Sequence, residues 1–133
     1  MGAAADDHEI EFDRLSLDDG LSQSIVERIL QDRRGFLWFA TEDGLNRFDG
    51  YRFSVHRHEP ADPQSLSYNE IKALYEDRGG RLWVGTFENG LNVFDPATET
   101  VRRFMADASD PTSLGAPTVR AVLEDSSGRL WVG

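Results

Sequence analysis

The chain of 133 residues has the length of a single domain, and its 39% hydrophobic and 29% charged residues are ordinary for a globular fold. A formal net charge of −10 repels phosphate backbones, so no nucleic acid partner is expected, and the absence of cysteine excludes disulfides and thiolate metal sites. No apolar run reaches the roughly 18 residues that a membrane-spanning helix needs, so we expect no membrane contact by this segment.

The N-terminal residues precede any complete repeat. Residues 1–10 are expected to form a disordered segment, and their first part, MGAAADDH, lacks the basic and apolar stretches of a signal peptide. Residues 11–24 have no partner of their own type upstream and are typical of the end of a repeat unit. We therefore predict a leading strand and a connection within 11–24.

An internal repeat is the main signal in the sequence. Trp38, Trp83 and Trp131 recur at intervals of 45 and 48 residues, inside the segments DRRGFLWFAT, DRGGRLWVGT and DSSGRLWVG. Two further pairs recur in the same order, GLNRFD with GLNVFD and DPQSL with DPTSL. A period of this length occurs both in propeller blades and in helical arrays. Short apolar runs divided by glycine and aspartate turns favour strands, and hence blades.

The strand-length runs follow one another in the same order in each unit. The first unit, 25–70, contains runs at 25–31, 36–41, 45–49 and 52–56. The second unit, 71–118, contains runs at 71–76, 81–86, 91–95 and 101–105, and residues 119–133 begin a third unit. The predicted fold class is therefore all-β, with residues 11–133 forming a partial β-propeller of about two and a half blades, each a four-stranded antiparallel sheet.

Residue chemistry explains the turns and the packing. Asp32, Asp77 and Asp125 each precede a glycine by three residues, so the carboxylate can accept backbone N–H groups while the glycine takes a positive φ. Asp49 and Asp95 are predicted to cap the turn after the third strand of their units. Apolar residues on both sides of the first strands predict burial on both faces, and the tryptophans are predicted to join blade to blade.

At these motifs the sequence resembles the two-component regulator propeller family. The resemblance rests on Asp-x-x-Gly-x-Leu-Trp, on the Gly-Leu-Asn-x-Phe-Asp segments and on an opening with Phe12, Leu15 and Asp19-Gly20-Leu21-Ser22, and it covers about residues 11–133. It implies a periplasmic sensor region of a hybrid histidine kinase or a diguanylate cyclase. The ligand of such a region is often a carbohydrate, and the signal passes through an immunoglobulin-like linker and a membrane helix to a cytoplasmic output domain. The remaining blades of the parent receptor are then partners of this segment.

The sequence predicts no catalytic residue, no cofactor and no metal. His56 and His58 stand two residues apart, so on a strand they point to one face, but no third ligand is evident and a surface histidine pair is expected. A glycosidase needs two carboxylates facing one cleft, whereas the aspartates here repeat with the turns.

The connections 57–70 and 106–118 are longer than hairpin loops and are the expected place for recognition. Tyr68, Asn69 and Thr118 are the candidate ligand-binding residues. The leading hypothesis is a non-catalytic ligand-sensing propeller fragment of a bacterial two-component-type receptor. The alternatives are a protein-interaction propeller scaffold and a propeller enzyme acting on polysaccharide, a lyase or a hydrolase.

The two ends of the repeat array predict one further property. A stack of about two and a half blades leaves an apolar face open at each end. The isolated fragment is therefore expected to fold poorly or to self-associate.

Overall fold

The computed structural model describes residues 9–133, and within them the regular structure is almost entirely antiparallel β-sheet. The first sheet consists of β1 (Val26–Gln31), β2 (Leu37–Thr41), β3 (Gly44–Phe48) and β4 (Phe53–His56). The second sheet consists of β5 (Ile71–Glu76), β6 (Leu82–Thr86), β7 (Leu91–Asp95) and β8 (Thr100–Phe104). A hairpin of β9 (Val122–Glu124) and β10 (Leu130–Val132) follows. The predicted all-β fold class, with four-stranded antiparallel sheets, is confirmed.

The strands lie where the turn chemistry predicts them, because glycine and aspartate end each run. In the two sheets, no strand boundary differs from its predicted position by more than one residue. Consecutive strands pair in order within each sheet, and β1 and β5 each contain a bulge, at Glu27 and at Lys72. Within residues 9–133, no helix is long and apolar enough to cross a membrane.

The leading strand expected within 11–24 is not formed. This range holds a short 3-10 helix, Leu17–Asp19, whose capping box joins the backbone N–H of Ser16 to Asp19 Oδ2 at 2.8 Å. An edge strand needs a neighbouring strand to satisfy its backbone, and each sheet in the described chain already has its own edge strands. Residues 1–8, the larger part of the predicted disordered segment, lie outside the described residues.

Trp38 and Trp83 each join their sheet to the next, as predicted. Trp38 is 1% exposed and packs in one core with Leu82 and Phe94 of the second sheet. Trp83 packs with Val122 and Leu130 of the hairpin. The inner strands β1, β5 and β9 lie side by side, so the sheets stack like blades around an axis. We call the contact between one sheet and the next a joint.

Of the three first strands, β5 is buried on both faces as predicted, with Ile71 in the core of the first joint and Ala73 in that of the second, whereas β1 and β9 each leave one face open, contrary to the prediction. Ile29 of β1 is 64% exposed, whereas Leu74, at the equivalent place in β5, packs against the core of the first joint. The difference arises because no sheet of the described chain covers the outer face of the first sheet. Leu123 of β9 and Trp131 of β10, 57% and 58% exposed, mark the open face at the other end.

Candidate functional site

An aspartate and a tryptophan lock the turn between the first two strands of each unit. Asp32 Oδ1 accepts two backbone N–H groups of its own turn, at 2.9 and 3.0 Å, and Oδ2 accepts the indole N–H of Trp38 at 2.8 Å. The indole bond recurs between Asp77 and Trp83 at 2.9 Å and between Asp125 and Trp131 at 2.8 Å. These aspartates are turn residues, as predicted, and they also orient the tryptophans.

The same hydrogen bonds keep two of these carboxylates ionised. The indole N–H of Trp131 is the main group that holds the pKa of Asp125 below its usual value. Burial raises the pKa of Asp77, but the N–H groups of Trp83 and Arg81 and the charge of Arg81 together outweigh burial and lower it. A carboxylate held ionised by its own turn is a poor proton donor, so neither aspartate is suited to act as a general acid.

Asp49 and Asp95 cap the turns after the third strand of their units, as predicted. Asp49 Oδ1 accepts the backbone N–H groups of Tyr51 and Arg52 at 2.8 and 2.9 Å, and Asp95 Oδ1 accepts that of Ala97 at 2.9 Å. The N–H groups of Arg52 and Tyr51 lower the pKa of Asp49. Both side chains therefore serve the turn rather than a cleft.

An arginine in the second position of the Asp-x-x-Gly turn reaches the next sheet. Arg33 Nη2 donates to the carbonyl oxygen of Asp77 at 3.0 Å, and the backbone N–H of Arg33 donates to Glu76 Oε2 at 3.2 Å. The Arg33 Nε atom lies 3.7 Å from the same carboxylate oxygen. We call this set of contacts an arginine clamp, and the second joint repeats it with Arg78, Asp125 and Glu124 at 2.8, 3.1 and 3.5 Å.

The clamp residues change at both ends of the described chain. Ser126 stands in the third turn at the place of Arg33 and Arg78, and Gln31 stands before the first turn at the place of Glu76. Gln31 instead donates from Nε2 to the carbonyl oxygen of Gly35 at 3.2 Å. Both internal joints therefore contain a charged clamp. The residues that stand at the clamp positions on the two open faces, Gln31 and Ser126, are neutral.

The long connection 57–70 is fixed by its own hydrogen bonds. The backbone N–H of His58 donates to Asn69 Oδ1 at 2.7 Å, and the backbone N–H of Glu59 donates to Ser65 Oγ at 2.9 Å. Ser67 donates its backbone N–H to the buried Asn92 Oδ1 at 3.0 Å. The loop is therefore an ordered part of the first joint. The connection 106–118 has a corresponding bond between the N–H of Asp107 and Ser113 Oγ at 2.9 Å.

The three candidate ligand-binding residues have different surroundings. The side chain of Asn69 accepts the bond from His58 within the loop, and Thr118 Oγ1 accepts the backbone N–H of Glu88 at 3.0 Å. These two side chains support neighbouring backbone. Tyr68 is 41% exposed, so it offers an aromatic surface to solvent.

A cluster of charged side chains that the prediction missed lies at the inner strands. Lys72 Nζ is 2.9 Å from Glu70 Oε1, 3.0 Å from Glu27 Oε1 and 4.0 Å from Glu42 Oε1, and the lysine side chain is only 14% exposed. The hydrogen bonds to Glu70 and then Glu27 raise the pKa of Lys72. Glu27 and Lys72 occupy equivalent places in their units. The cluster could therefore have been predicted from the reversal of charge between the two repeats.

Arg120 extends this equivalence to the third unit. The backbone N–H groups of Arg120 and Ala121 both donate to the carbonyl oxygen of Gly133, at 2.7 and 3.0 Å, the pattern of another bulge. The side chain of Arg120 is exposed. We call Glu27, Lys72, Arg120 and Tyr68, which lies in the connection that leads into β5, the inner rim.

The two histidines do not form a surface pair, contrary to the prediction. Strand β4 ends at His56, whose ring packs between Trp38 and Phe94 with centroids 6.0 and 4.9 Å away, while His58 lies in the loop and its Nδ1 is 2.8 Å from the Leu66 carbonyl oxygen. Burial lowers the pKa of His56, and its Nε2 atom is buried without a hydrogen-bond partner. Among residues 9–133, no three histidine or acidic side chains are arranged to hold a metal ion.

Cavities accompany both joints. One of about 210 Å³ lies in the first joint and is lined in part by His56, Phe94 and Glu99. The other, of about 510 Å³, lies in the second joint beside Trp83 and Phe104. The second is larger because the hairpin covers only part of the second sheet.

Comparison with known proteins identifies the repeat. The family model described as "Two component regulator propeller" matches residues 19–43, 65–88 and 113–133. The chain belongs to the two component regulator propeller family. The matched residues contain all three locking aspartates and all three tryptophans, so the family pattern coincides with the turn and packing contacts of this structure.

The relatives of this propeller chain include a kinase and extracellular domains. A histidine kinase, P4, of Formosa agariphila is 55% identical over 49 residues, which are 37% of this chain and 4% of that protein. The extracellular domain of a hybrid two component system from B. thetaiotaomicron is 37% identical with a TM-score of 0.83, over 90% of this chain and 17% of that one. A second such domain from the same organism is 27% identical with a TM-score of 0.65, over 82% of this chain and 15% of that one. The chain thus spans less than a fifth of the length of each relative.

Proposed function

We propose that this propeller segment is a non-catalytic part of the extracytoplasmic, ligand-sensing region of a bacterial two-component receptor. The observation that carries the proposal is the likeness over 90% of the chain, at 37% identity, to the extracellular domain of a hybrid two component system. In a Gram-negative cell that region lies in the periplasm. The other blades of the parent receptor complete the propeller around the two open ends.

The inner rim is the surface that we assign to the ligand. In a propeller the inner strands line the central channel, and the bulges at Glu27 and Lys72 mark the beginning of those strands. The aspartates and tryptophans that build the joints repeat from unit to unit, whereas the rim changes from glutamate to lysine to arginine. Residues that differ between units at one edge of a rigid scaffold are typical of recognition surfaces.

The chemistry of the rim suits a polar ligand such as a carbohydrate. Tyr68 offers an exposed ring that can stack on a sugar face, and Arg120 offers an exposed guanidinium with five N–H donors. Lys72 is held as a cation by its glutamates, so it is suited to binding and positioning rather than to accepting a proton.

A panel of glycans, assayed with the chain for both binding and cleavage, tests the proposal. We expect binding to one class of glycan without release of product, and Tyr68→Ala and Arg120→Ala should each weaken binding at least tenfold. Tyr51→Ala is the matched control, since Tyr51 is 94% exposed in a turn away from the rim. Product release would refute the non-catalytic assignment, and equal losses in all three variants would refute the rim.

A further inference from the structure

The turn between β6 and β7 departs from the repeat. It reads TFENGLN where the first unit reads TEDGLN, so the second unit has one more residue before the glycine. Glu88 in this turn is exposed and has a φ of 61°, a conformation that few residues other than glycine and asparagine adopt. Its N–H donates to Thr118 Oγ1 at 3.0 Å, which fixes the turn in this conformation. A glycine would make the same turn without strain, so the turn alone does not explain the glutamate.

This turn lies against the part of the connection 57–70 that contains Tyr68. Two hydrogen bonds join the turn to the connection: Ser67 Oγ donates to the carbonyl oxygen of Asn89 at 2.7 Å, and the N–H of Phe87 donates to that of Glu70 at 3.0 Å. Tyr68 and Glu88 follow or precede these bonded residues in the sequence, so the two exposed residues stand on adjacent segments of backbone. Both segments belong to units that have all four strands, so the pair does not depend on an uncovered end of the array.

An exposed aromatic ring and a carboxylate on adjacent segments are suited to a sugar. The ring of Tyr68 can stack on the apolar face of a sugar, as described for the rim. The two oxygens of Glu88 can accept hydrogen bonds from neighbouring sugar hydroxyls, and bonds to a charged acceptor are stronger than bonds between neutral groups. An ionised carboxylate has no hydrogen to donate, so it binds hydroxyls and repels another carboxylate.

The charges around this pair also disfavour an anion. Three glutamates lie 2.9 to 4.0 Å from Lys72 Nζ, so the charge of this lysine is more than offset. When Glu88 and Arg120 are included, four glutamates stand against two cations. A negatively charged ligand therefore meets a field of its own sign at this edge of the second sheet.

We propose that Glu88 is a specificity-determining residue of the ligand surface and that, together with Tyr68, it selects neutral glycans over glycans of uronic acids. This inference rests on the proposed function, because it takes the ligand to be a carbohydrate. It extends the inner rim by one residue and names the class of carbohydrate that the rim accepts and the class that it rejects.

Matched pairs of oligosaccharides test this selectivity. Oligomers of galactose and of galacturonic acid, and likewise of glucose and of glucuronic acid, differ only in whether C6 carries a hydroxyl or a carboxylate. In calorimetric titrations of the chain, we expect a neutral member to bind about tenfold or more tightly than its acidic counterpart. Glu88→Gln removes the charge and keeps the shape, so it should weaken binding of the neutral member about threefold or more and reduce the preference by a similar factor.

Glu99 provides the matched control. It is also an exposed glutamate with a positive φ, of 58°, but it lies in the turn between β7 and β8, at the opposite end of the second sheet. Glu99→Gln should leave both the affinity and the preference unchanged. Glycine relieves the backbone strain at either position, so Glu88→Gly and Glu99→Gly should both raise the midpoint of urea unfolding, but only Glu88→Gly should weaken glycan binding. A variant that is more stable and binds less separates recognition from folding.

The possible results distinguish this inference from the proposed function. Binding of a neutral glycan that Glu88→Gln leaves unchanged would overturn the inference alone, and so would acidic members that bind as tightly as neutral ones. If the chain is folded by circular dichroism and binds no glycan of either kind, the proposed function fails and this inference fails with it.

Discussion

Replacing His56 by phenylalanine is expected to stabilise the chain. The second sheet has Phe104 at the equivalent place, and the rings stack alike: His56 on Trp38 with centroids 6.0 Å apart, and Phe104 on Trp83 with centroids 5.9 Å apart, both at 29°. The histidine differs by its buried Nε2 atom, which has no hydrogen-bond partner. Such an atom costs about 1–3 kcal/mol, and the larger phenyl ring offsets part of the gain. We therefore expect His56→Phe to raise the free energy of unfolding by about 1 kcal/mol.

This gain is expected to grow as the pH falls. Burial lowers the pKa of His56 in the folded chain, with the charge of Glu99 opposing burial and that of Arg47 adding to it. On acidification below the unfolded value of about 6.5, the unfolded chain therefore binds the His56 proton first, and folding loses stability until the pH reaches the lower folded pKa. The variant lacks this loss. Above about pH 7.5 both states are neutral, and the difference reports the unpartnered nitrogen alone.

Urea unfolding, followed by tryptophan fluorescence, measures both the gain in stability and its dependence on pH. It is carried out at one protein concentration, at about pH 8 and at about pH 5.5. The reciprocal variant Phe104→His is the matched control and should destabilise the chain at both pH values. The reasoning fails if His56→Phe is less stable than the parent chain at both pH values, or if its advantage is the same at both.

Four further substitutions test the joints and the rim. Trp38→Ala should lower the free energy of unfolding by about 3–5 kcal/mol and Trp131→Ala by less than about 1 kcal/mol, because the first ring is 1% exposed and the second 58%. Equal losses of the two variants, measured by denaturation, would contradict this assignment of the joints. Lys72→Met should destabilise the chain by about 1–3 kcal/mol. The loss of stability should shrink in high salt, because salt screens the repulsion among the glutamates that no longer have the lysine between them. A loss of stability that does not depend on salt would count against the cluster. Gly85→Ala should cost about 1–3 kcal/mol by thermal unfolding, since its Cβ would lie 2.6 Å from the Val119 carbonyl oxygen, and a neutral result would mean that the second joint is looser than described.

The sequence predicted the features that recur in every unit. Strand positions and turn aspartates follow from the repeat, because each is required by local chemistry and so appears again at the same offset. The hydrogen bond between Asp32 and Trp38 could also have been predicted, since the spacing of six residues is the same in all three copies. The exposure of Ile29 was not, because a pattern of apolar residues shows which faces can be covered and not which neighbours are there to cover them.

Features that differ between units were harder to predict. The Arg33 clamp joins residues 43 to 45 positions apart, and the turn positions involved vary from copy to copy. Whether Asn69 faces a channel or its own loop depends on a backbone bond to His58 that no periodicity reveals. His56 was expected at the surface because the sequence does not show that its ring lies inside the joint, between Trp38 and Phe94.

The lock between aspartate and tryptophan has a consequence for how such proteins change over evolutionary time. Its hydrogen bond spans six residues within one hairpin, whereas the ring is covered by a sheet that comes later in the chain. Each unit therefore orients its own docking side chain before its neighbour is present. Gene duplication can insert or remove such a unit together with its means of attachment, so the number of blades can change by whole units while every remaining contact keeps its geometry.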